Sequence, residues 1–427
     1  MAGTALFSTS DLGSGFRLHL RRTRAFKTIT ARLVLHAALD ARSAARALVP
    51  RVLARGTRRL PSLRDLQIEL DRLYGASLHG EASRVGERQL VQFQADWIKD
   101  ELAGAPLRTQ MGALLAEHLR DPATDPDGGL RAAEIAQERK NQADEAAAVF
   151  DDKARYARHR LLEVMCRGEP FARPAIGREE EIRALRTQDV RGAYLDLLAC
   201  APADLFVVGD LSPKEAREFA KGLGFDRRLR TATPRPTTTR KAPARVRTVV
   251  ERQKVGQAKL AMGFRTPVRL GSPLYPALAL MNALFGGTPV GKLFKQVREQ
   301  ASLCYAIHST TERSKGLVVV QAGIDALNHA RARDLILAQL EDLGRGRVAP
   351  EEQRLARRVL LSAVRGMRDS PGAMIDFALE RSIHGLPADL DGLLRDLRRV
   401  TLEDVARAAR SVKLDTVYLL RDGRSPR

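Results

Sequence analysis

The amino-acid sequence predicts an α+β protein of two homologous domains, each a mostly antiparallel sheet with helices packed on one face. Three observations lead there. The chain has 427 residues, beyond the roughly 250–300 at which a single hydrophobic core stops growing, so two domains are expected. Its middle is interrupted by RRLRTATPRPTTTRKAPARVR (227–247), where proline, threonine and positive charge carry no hydrophobic period, the composition of a solvated linker. The patterns on either side of this break also echo each other in order, as a duplication would. Ala76-Ser77-Leu78 in YGASLHGEAS recurs 225 residues later at Ala301 in QASLCYAIHS, and Gln94-Ala95 recurs 227 residues later at Gln321. LRTQDVRGAYLDLLACAPADLFVVGDL (185–211) is echoed by VTLEDVARAARSVKLDTVYLLRDG (400–423), each with a threonine, an acidic first turn, an Ala-rich helix and an apolar strand. The domains are therefore 1–226 and 248–427, with 227–247 between them.

In the first half, apolar residues alternate or run continuously at 15–21 and 28–37, which predicts strands. The pattern turns helical at about 41–54. A helix-to-strand passage at 65–83 leads into a strand pair over 76–96. Helices follow at about 105–119, 129–164 and 188–199, the last opened by Thr187 as N-cap, and then a short apolar strand ends in Gly209-Asp210. The second half predicts a strand at 257–265, helices at 273–285 and 289–300, strands at 303–310 and 316–323, helices at 328–343, 350–367 and 401–410, and a strand at 415–420. Pro350 before Glu351 and Glu352 marks a helix start, because proline presets φ and carboxylates suit the positive end of the helix dipole. Strands that follow one another through short turns pair antiparallel.

Composition narrows the class. With 44% apolar and 29% charged residues the chain is a folded, water-soluble type. No run approaches the roughly 20 uninterrupted apolar residues of a bilayer crossing, and the amino terminus has no apolar core of signal-peptide length. A cytoplasmic protein without membrane insertion is expected. The net charge of +21 raises nucleic acid as a partner. However, arginines alternate with acids, as in 178–191, and aromatics are only 5%, so a solvated basic surface is the favoured reading. Cys166, Cys200 and Cys304 are odd in number, far apart and set in apolar segments, which makes them free thiols. His308 lies four strand residues from Cys304, about 13 Å along the chain, too far for a thiol–imidazole pair. FGGTPVGKLF (285–294) places Gly286 and Gly291-Lys292 at P-loop spacing. Its next residue, Leu293, cannot coordinate magnesium, and the segment before it reads as a helix where the motif needs a strand.

One stretch holds the candidate site: KLFKQVREQASLCYAIHS (292–309), a basic helix that turns into a strand. From its residues alone two readings stand. Tyr305 shares a strand face with Leu303 and Ile307 and belongs to the core with Arg298 on the wet side, or Arg298 and Tyr305 are a donor pair peculiar to the second copy. GGTPVGKLFKQVREQASLCYAIHS resembles the signature of the second homologous domain of the insulinase and pitrilysin family of zinc peptidases, which includes the mitochondrial processing peptidases. The resemblance runs through both halves and the linker, and it implies that Arg298 and Tyr305 hold a peptide backbone and stabilise the oxyanion of its reacting carbonyl. It also implies an H-x-x-E-H motif on the first helix, shortly before Gly-Thr. The corresponding stretch here is RALVPRVLARGT (46–57). Counted back from Gly56-Thr57, Ala47 and Arg51 occupy the two ligand positions and Pro50 that of the glutamate. Alanine has no lone pair to offer, arginine brings a permanent cation, and proline accepts no proton. Glu138 and Glu145 match the family's downstream pair of glutamates, and the eight histidines form no H-x-x-x-H pair.

The resemblance thus implies a non-catalytic subunit of a heterodimeric zinc peptidase, with no metal or other cofactor of its own. Its partner would be a zinc-binding subunit that carries H-x-x-E-H, and its substrate a peptide. The alternative is a basic protein binding RNA or translation factors on an inactive peptidase scaffold. Within the family, GFRLHLRRTRAFKT (15–28), LYGASL, GERQLVQF and DDKARYARHRLLEVMCRGEPF (151–171) are similar to peptidase-like proteins associated with 5-aminopentanol modification of elongation factor P, which implies a pathway without defining a reaction.

Overall fold

Eleven strands form two sheets in the computed structural model, which describes residues 5–228 and 234–423. The first contains β1 (Ser8–Asp11), β2 (Phe16–Arg22), β3 (Thr28–Ala38), β4 (Ser77–Val85), β5 (Arg88–Ile98) and β6 (Ala203–Gly209), in the order β1-β2-β6-β3-β5-β4. The second contains β7 (Arg247–Arg252), β8 (Ala258–Arg265), β9 (Cys304–Glu312), β10 (Leu317–Ile324) and β11 (Lys413–Arg421), in the order β7-β11-β8-β10-β9. With β1 set aside, the two connectivities are the same. Each sheet has one parallel pair, β2 with β6 and β7 with β11, and every other pairing is antiparallel. The duplication seen in the residues is therefore a duplication of topology.

Each sheet buries one face under helices of its own half, as expected. The Ser43–Leu53, Leu107–Arg120 and Thr187–Cys200 helices cover the first sheet, with Leu48, Leu115 and Leu197 against Phe93, Trp97 and Leu205. The Tyr275–Asn282, His329–Gly344 and Leu402–Ser411 helices cover the second. The opposite faces are closed by exchange between halves. From the first half, the Lys153–Met165 helix lays Ala157, Leu161 and Met165 against Ala261, Val319 and Tyr418 of the second sheet. From the second half, the Pro371–Ile383 helix lays Met374, Ile375 and Phe377 against Val34, Leu90 and Phe206 of the first. Gly263 allows the first of these crossings, since a Cβ there would sit 2.5 Å from the Met165 sulfur.

Local departures have local causes. The single helix expected over 129–164 is two, Ala132–Ala148 and Lys153–Met165, because the Asp152 side chain accepts from the backbone N–H groups of Ala154 and Arg155 and starts a new helix. Thr187 is not the N-cap of its helix. Arg186 holds that place, and the Asp189 carboxylate reaches back to its N–H at 2.9 Å. Thr401 does cap the equivalent helix in the second half. Within the 227–247 linker, 229–233 lie outside the described residues. Most of 234–246 is exposed, yet it is fastened at two threonines: Thr237 Oγ1 accepts from the Glu87 N–H at 3.0 Å, and the Thr238 N–H donates to the Glu87 carboxylate at 2.9 Å. Among the described residues no helix is long and apolar enough to cross a membrane.

Candidate functional site

The Ser43–Leu53 helix crosses the first sheet beside β4, and the three positions that matter for a metal lie along it. Ala47 and Pro50 are buried; Pro50 sits inside the helix, its Cβ 2.7 Å from where a Cβ on Gly80 of β4 would be. Arg51, one residue on, reaches the Ala132–Ala148 helix and donates to Glu145. A helical turn later Arg55 donates to Glu138 and lies 3.7 Å from Glu134. Glu138 and Glu145, which the resemblance matches to the family's downstream glutamates, both reach this helix, and each is neutralised by a guanidinium. The donor set does not fit zinc: a guanidinium has no lone pair to give, and its charge repels the ion. Among the described residues no group of three or more His, Cys, Asp or Glu side chains is arranged to hold a metal.

The Arg298–Tyr305 segment carries three irregularities in eight residues. Leu293–Gln300 is a wide, π-type helix, and its exit is closed by long-span bonds from Ala301 N–H to Gln296 C=O (3.1 Å) and Leu303 N–H to Val297 C=O (3.0 Å). Ser302 takes a left-handed φ of 52°, which costs a non-glycine residue about 1 kcal/mol or more. At the start of β9, Cys304 pairs with Ile324 and Ala306 with the adjacent Gly323, so Tyr305 is an inserted bulge residue. The bulge overturns the alternation expected for Leu303, Tyr305 and Ile307. Leu303 and Ile307 are buried, whereas Tyr305 is 83% exposed. Arg298 is exposed as well, its guanidinium over the Phe294 ring at 4.4 Å from the centroid. Neither side chain has an ion-pair or hydrogen-bond partner among the described residues. Cys304 faces the core on the side opposite exposed His308, and burial pushes its thiol up while the Arg298 charge pulls it partly back. It is not an activated nucleophile. Lys292 of the P-loop lookalike pairs with Glu352 at 3.3 Å and follows helical chain.

Sequence reading missed the buried charges. Asp204 on β6 is fully buried and accepts from Arg17 on β2 (2.7 Å, twice), pairing also with His19 and His36 at 2.9 Å. Asp415, at the equivalent place on β11, accepts from Arg247 on β7 (2.6 Å) and Arg265 on β8 (2.7 Å). A carboxylate at the same point of two otherwise apolar strands, ADLFVVG and LDTVYLL, was the available signal. Between the halves, fully buried Lys315 joins Glu87 of the first half, the Thr238 carbonyl (2.6 Å) and Glu169 (2.6 Å), which in turn meets Arg265 at 2.6 Å.

Comparison with known proteins places this geometry. Residues 185–360 match the family model described as Peptidase M16 inactive domain. The "Probable inactive metalloprotease YmfF" of Bacillus subtilis (strain 168) is 30% identical over 413 residues, covering 95% of this chain and 96% of that protein. A conserved protein from Enterococcus faecalis V583 has a crystal structure similar over 99% of this chain and 100% of its own, at a TM-score of 0.92 and 23% identity. The peptidase M16 inactive domain from Pseudomonas fluorescens matches over 99% of both chains, at a TM-score of 0.81 and 16% identity.

Proposed function

The chain belongs to the M16, or insulinase, peptidase family as an inactive-type homologue, and from that premise we propose that it is the non-catalytic subunit of a heterodimeric zinc peptidase. It offers Arg298 and Tyr305 to a peptide held at the metal site of a partner that carries H-x-x-E-H. The observation that carries this reading is a contrast: the metal helix is closed by its own ion pairs, while the Arg–Tyr segment is irregular and Arg298 and Tyr305 are exposed, with no hydrogen-bond or ion-pair partner among the described residues. A bulge at a strand end re-aims a side chain and is commonly found beside working sites, and π-type turns concentrate there too.

The chemistry asks little of this chain beyond donors. A phenol O–H and a guanidinium are two donors that address one carbonyl oxygen as charge develops on it. β4 and β9 are the outermost strands of their sheets, each with an edge to which an extended peptide can add. The proton acceptor and the metal belong to the partner.

The test is co-expression with a family member that carries H-x-x-E-H, followed by a peptide cleavage assay. Arg298→Ala and Tyr305→Phe are each expected to lower kcat by about 10²-fold, the usual effect of removing one oxyanion donor, with melting unchanged because both side chains are exposed. A working pair whose activity survives both substitutions refutes the proposal.

A further inference from the structure

We propose that the cleft beside the Lys153–Met165 helix seats the peptide and selects an acidic segment, an inference that rests on reading the chain as a peptide-holding subunit. The cleft has a volume of about 630 Å³ and lies between β4, the end of the Ala132–Ala148 helix, the Lys153–Met165 helix and the loop over 171–178. One end is marked by Glu145, the carboxylate held by Arg51. The Lys153–Met165 helix is tied at its start to the second sheet: Gln321 of β10, the register partner of His308 on β9, donates to the Ala154 carbonyl at 3.0 Å. The cleft therefore begins at the carboxylate paired with the disabled metal helix and runs beside a helix fastened to the sheet that carries Tyr305.

Its charges do not cancel. Glu145 is neutralised by Arg51, Glu163 by Arg160 (2.6 Å) and Arg178 (3.4 Å), and Glu179 by Arg183 (2.9 Å). Arg155 and Arg158 make no ion pair among the described residues, and Arg84 donates only to the Phe171 and Arg173 carbonyls, 2.6 Å each. Against these three cations stand Glu180 and Glu312. Burial raises the Glu312 pKa and lowers that of Arg84, so exposed Arg155 and half-buried Arg158 carry the cleft's free charge. Cations without counter-ions in a partly enclosed cleft attract and orient a carboxylate-bearing chain. Nucleic acid fits less well. The aromatic rings on which bases would stack are engaged within the protein: Arg84 lies over Phe171 at 4.0 Å, Lys153 over Phe150 at 3.6 Å, and Tyr156 packs edge-on against Phe150 while its O–H donates to Glu251.

Fluorescence anisotropy on the chain alone tests this, with labelled ten-residue peptides of one sequence carrying Glu, Gln or Lys at alternate positions. The Glu peptide should bind tightest, and more weakly as salt rises. Arg155→Glu, at an exposed position, and the double variant Arg155→Glu/Arg158→Glu should weaken it by about tenfold or more, as truncated interfacial charge pairs do. Arg155→Lys/Arg158→Lys should retain most of the binding, and melting curves confirm that each variant is folded. Equal binding of the three peptides, or undiminished binding by the double variant, overturns the inference. So does tighter binding of an oligouridylate that the double variant abolishes, which assigns the cleft to RNA. Because no partner is present, failure here leaves the roles of Arg298 and Tyr305 standing. Acidic-peptide binding alongside cleavage that ignores those two residues removes the partner reading instead.

Discussion

Asp204 shows how much rests on single buried side chains. Burial alone would push its carboxyl pKa up, but the hydrogen bonds and charges of His19 and His36 outweigh that and hold it well below the usual carboxylate range. A depressed carboxylate stabilises the native state above its unfolded pKa, and that contribution is lost as pH falls below about 4. Asp204→Asn removes the carboxylate that binds half-exposed Arg17 and buried His19 and His36, and is expected to cost about 1.5–3 kcal/mol, the usual worth of a hydrogen bond to a charged group, read from urea unfolding at pH 7. His118 acts in a different window. Burial lowers its pKa to about 4, and its Nδ1 has no partner. The unfolded imidazole takes a proton near pH 6.5 while the folded one resists until about 4, so stability falls across that interval by about 3 kcal/mol. His118→Leu should flatten the stability profile between pH 6.5 and 4 and leave the acid limb set by Asp204. A variant with the wild-type slope in the upper window would show that another group titrates there.

Among the elements, the metal helix is the one whose sequence works against its own structure. Pro50 gives no N–H to the carbonyl four residues back, a defect worth about 3 kcal/mol in an unconstrained helix interior, yet the helix runs unbroken from Ser43 to Leu53. Pro50→Ala restores the donor and keeps the Cβ that meets Gly80. It should raise stability by about 1 kcal/mol or more, while added zinc leaves both proteins' melting temperatures unchanged. A zinc-dependent rise would contradict the ion-paired arrangement of Arg51 and Glu145. The same helix was legible in the sequence, as were β2, β3, β5, β8 and β10, because fully buried or alternating strands and amphipathic helices write their period plainly. The Pro213–Gly222, Pro371–Ile383 and Leu390–Arg399 helices were missed although their apolar faces recur at helical spacing, whereas other misses had no clear local signal. The break at Asp152 interrupts a run, EAAAVFDDKARYARHR, that reads as continuous helix. The bulge at Tyr305 sits in a strand whose alternation looks regular, and β7 is short, at a sheet edge and half exposed. The candidate pair was found through a family signature, since the exposure of Tyr305 depends on one inserted residue that the local pattern does not reveal.

Across the whole molecule, the exchanged helices and the Lys315 cluster pack and pair the two halves against each other. Composition marks the 227–247 stretch as a solvated linker. The exchange was not readable there, because an apolar helix face does not declare which sheet it covers, and the pairing of Lys315 with Glu87 spans 228 positions of sequence. Cut in the exposed stretch 239–246, the first half would show water the face formed by Val34, Leu90, Phe206 and Val208 together with the buried side of the Lys153–Met165 helix. The second half would expose the face built on Ala261, Val319 and Tyr418. It would also lose the first-half partners of Lys315, namely Glu87, Glu169 and the Thr238 carbonyl, and leave that cation in water. Each piece expressed alone should therefore aggregate, by sedimentation and dye binding to exposed apolar surface. The two co-expressed from one message should assemble into a soluble one-to-one complex, and Lys315→Met should weaken that complex more than it weakens the uncut chain, where the covalent linker keeps the halves at high effective concentration. A soluble, cooperatively melting first half on its own would mean that the exchanged helices are dispensable docking elements and that the two sheets can move as separate bodies.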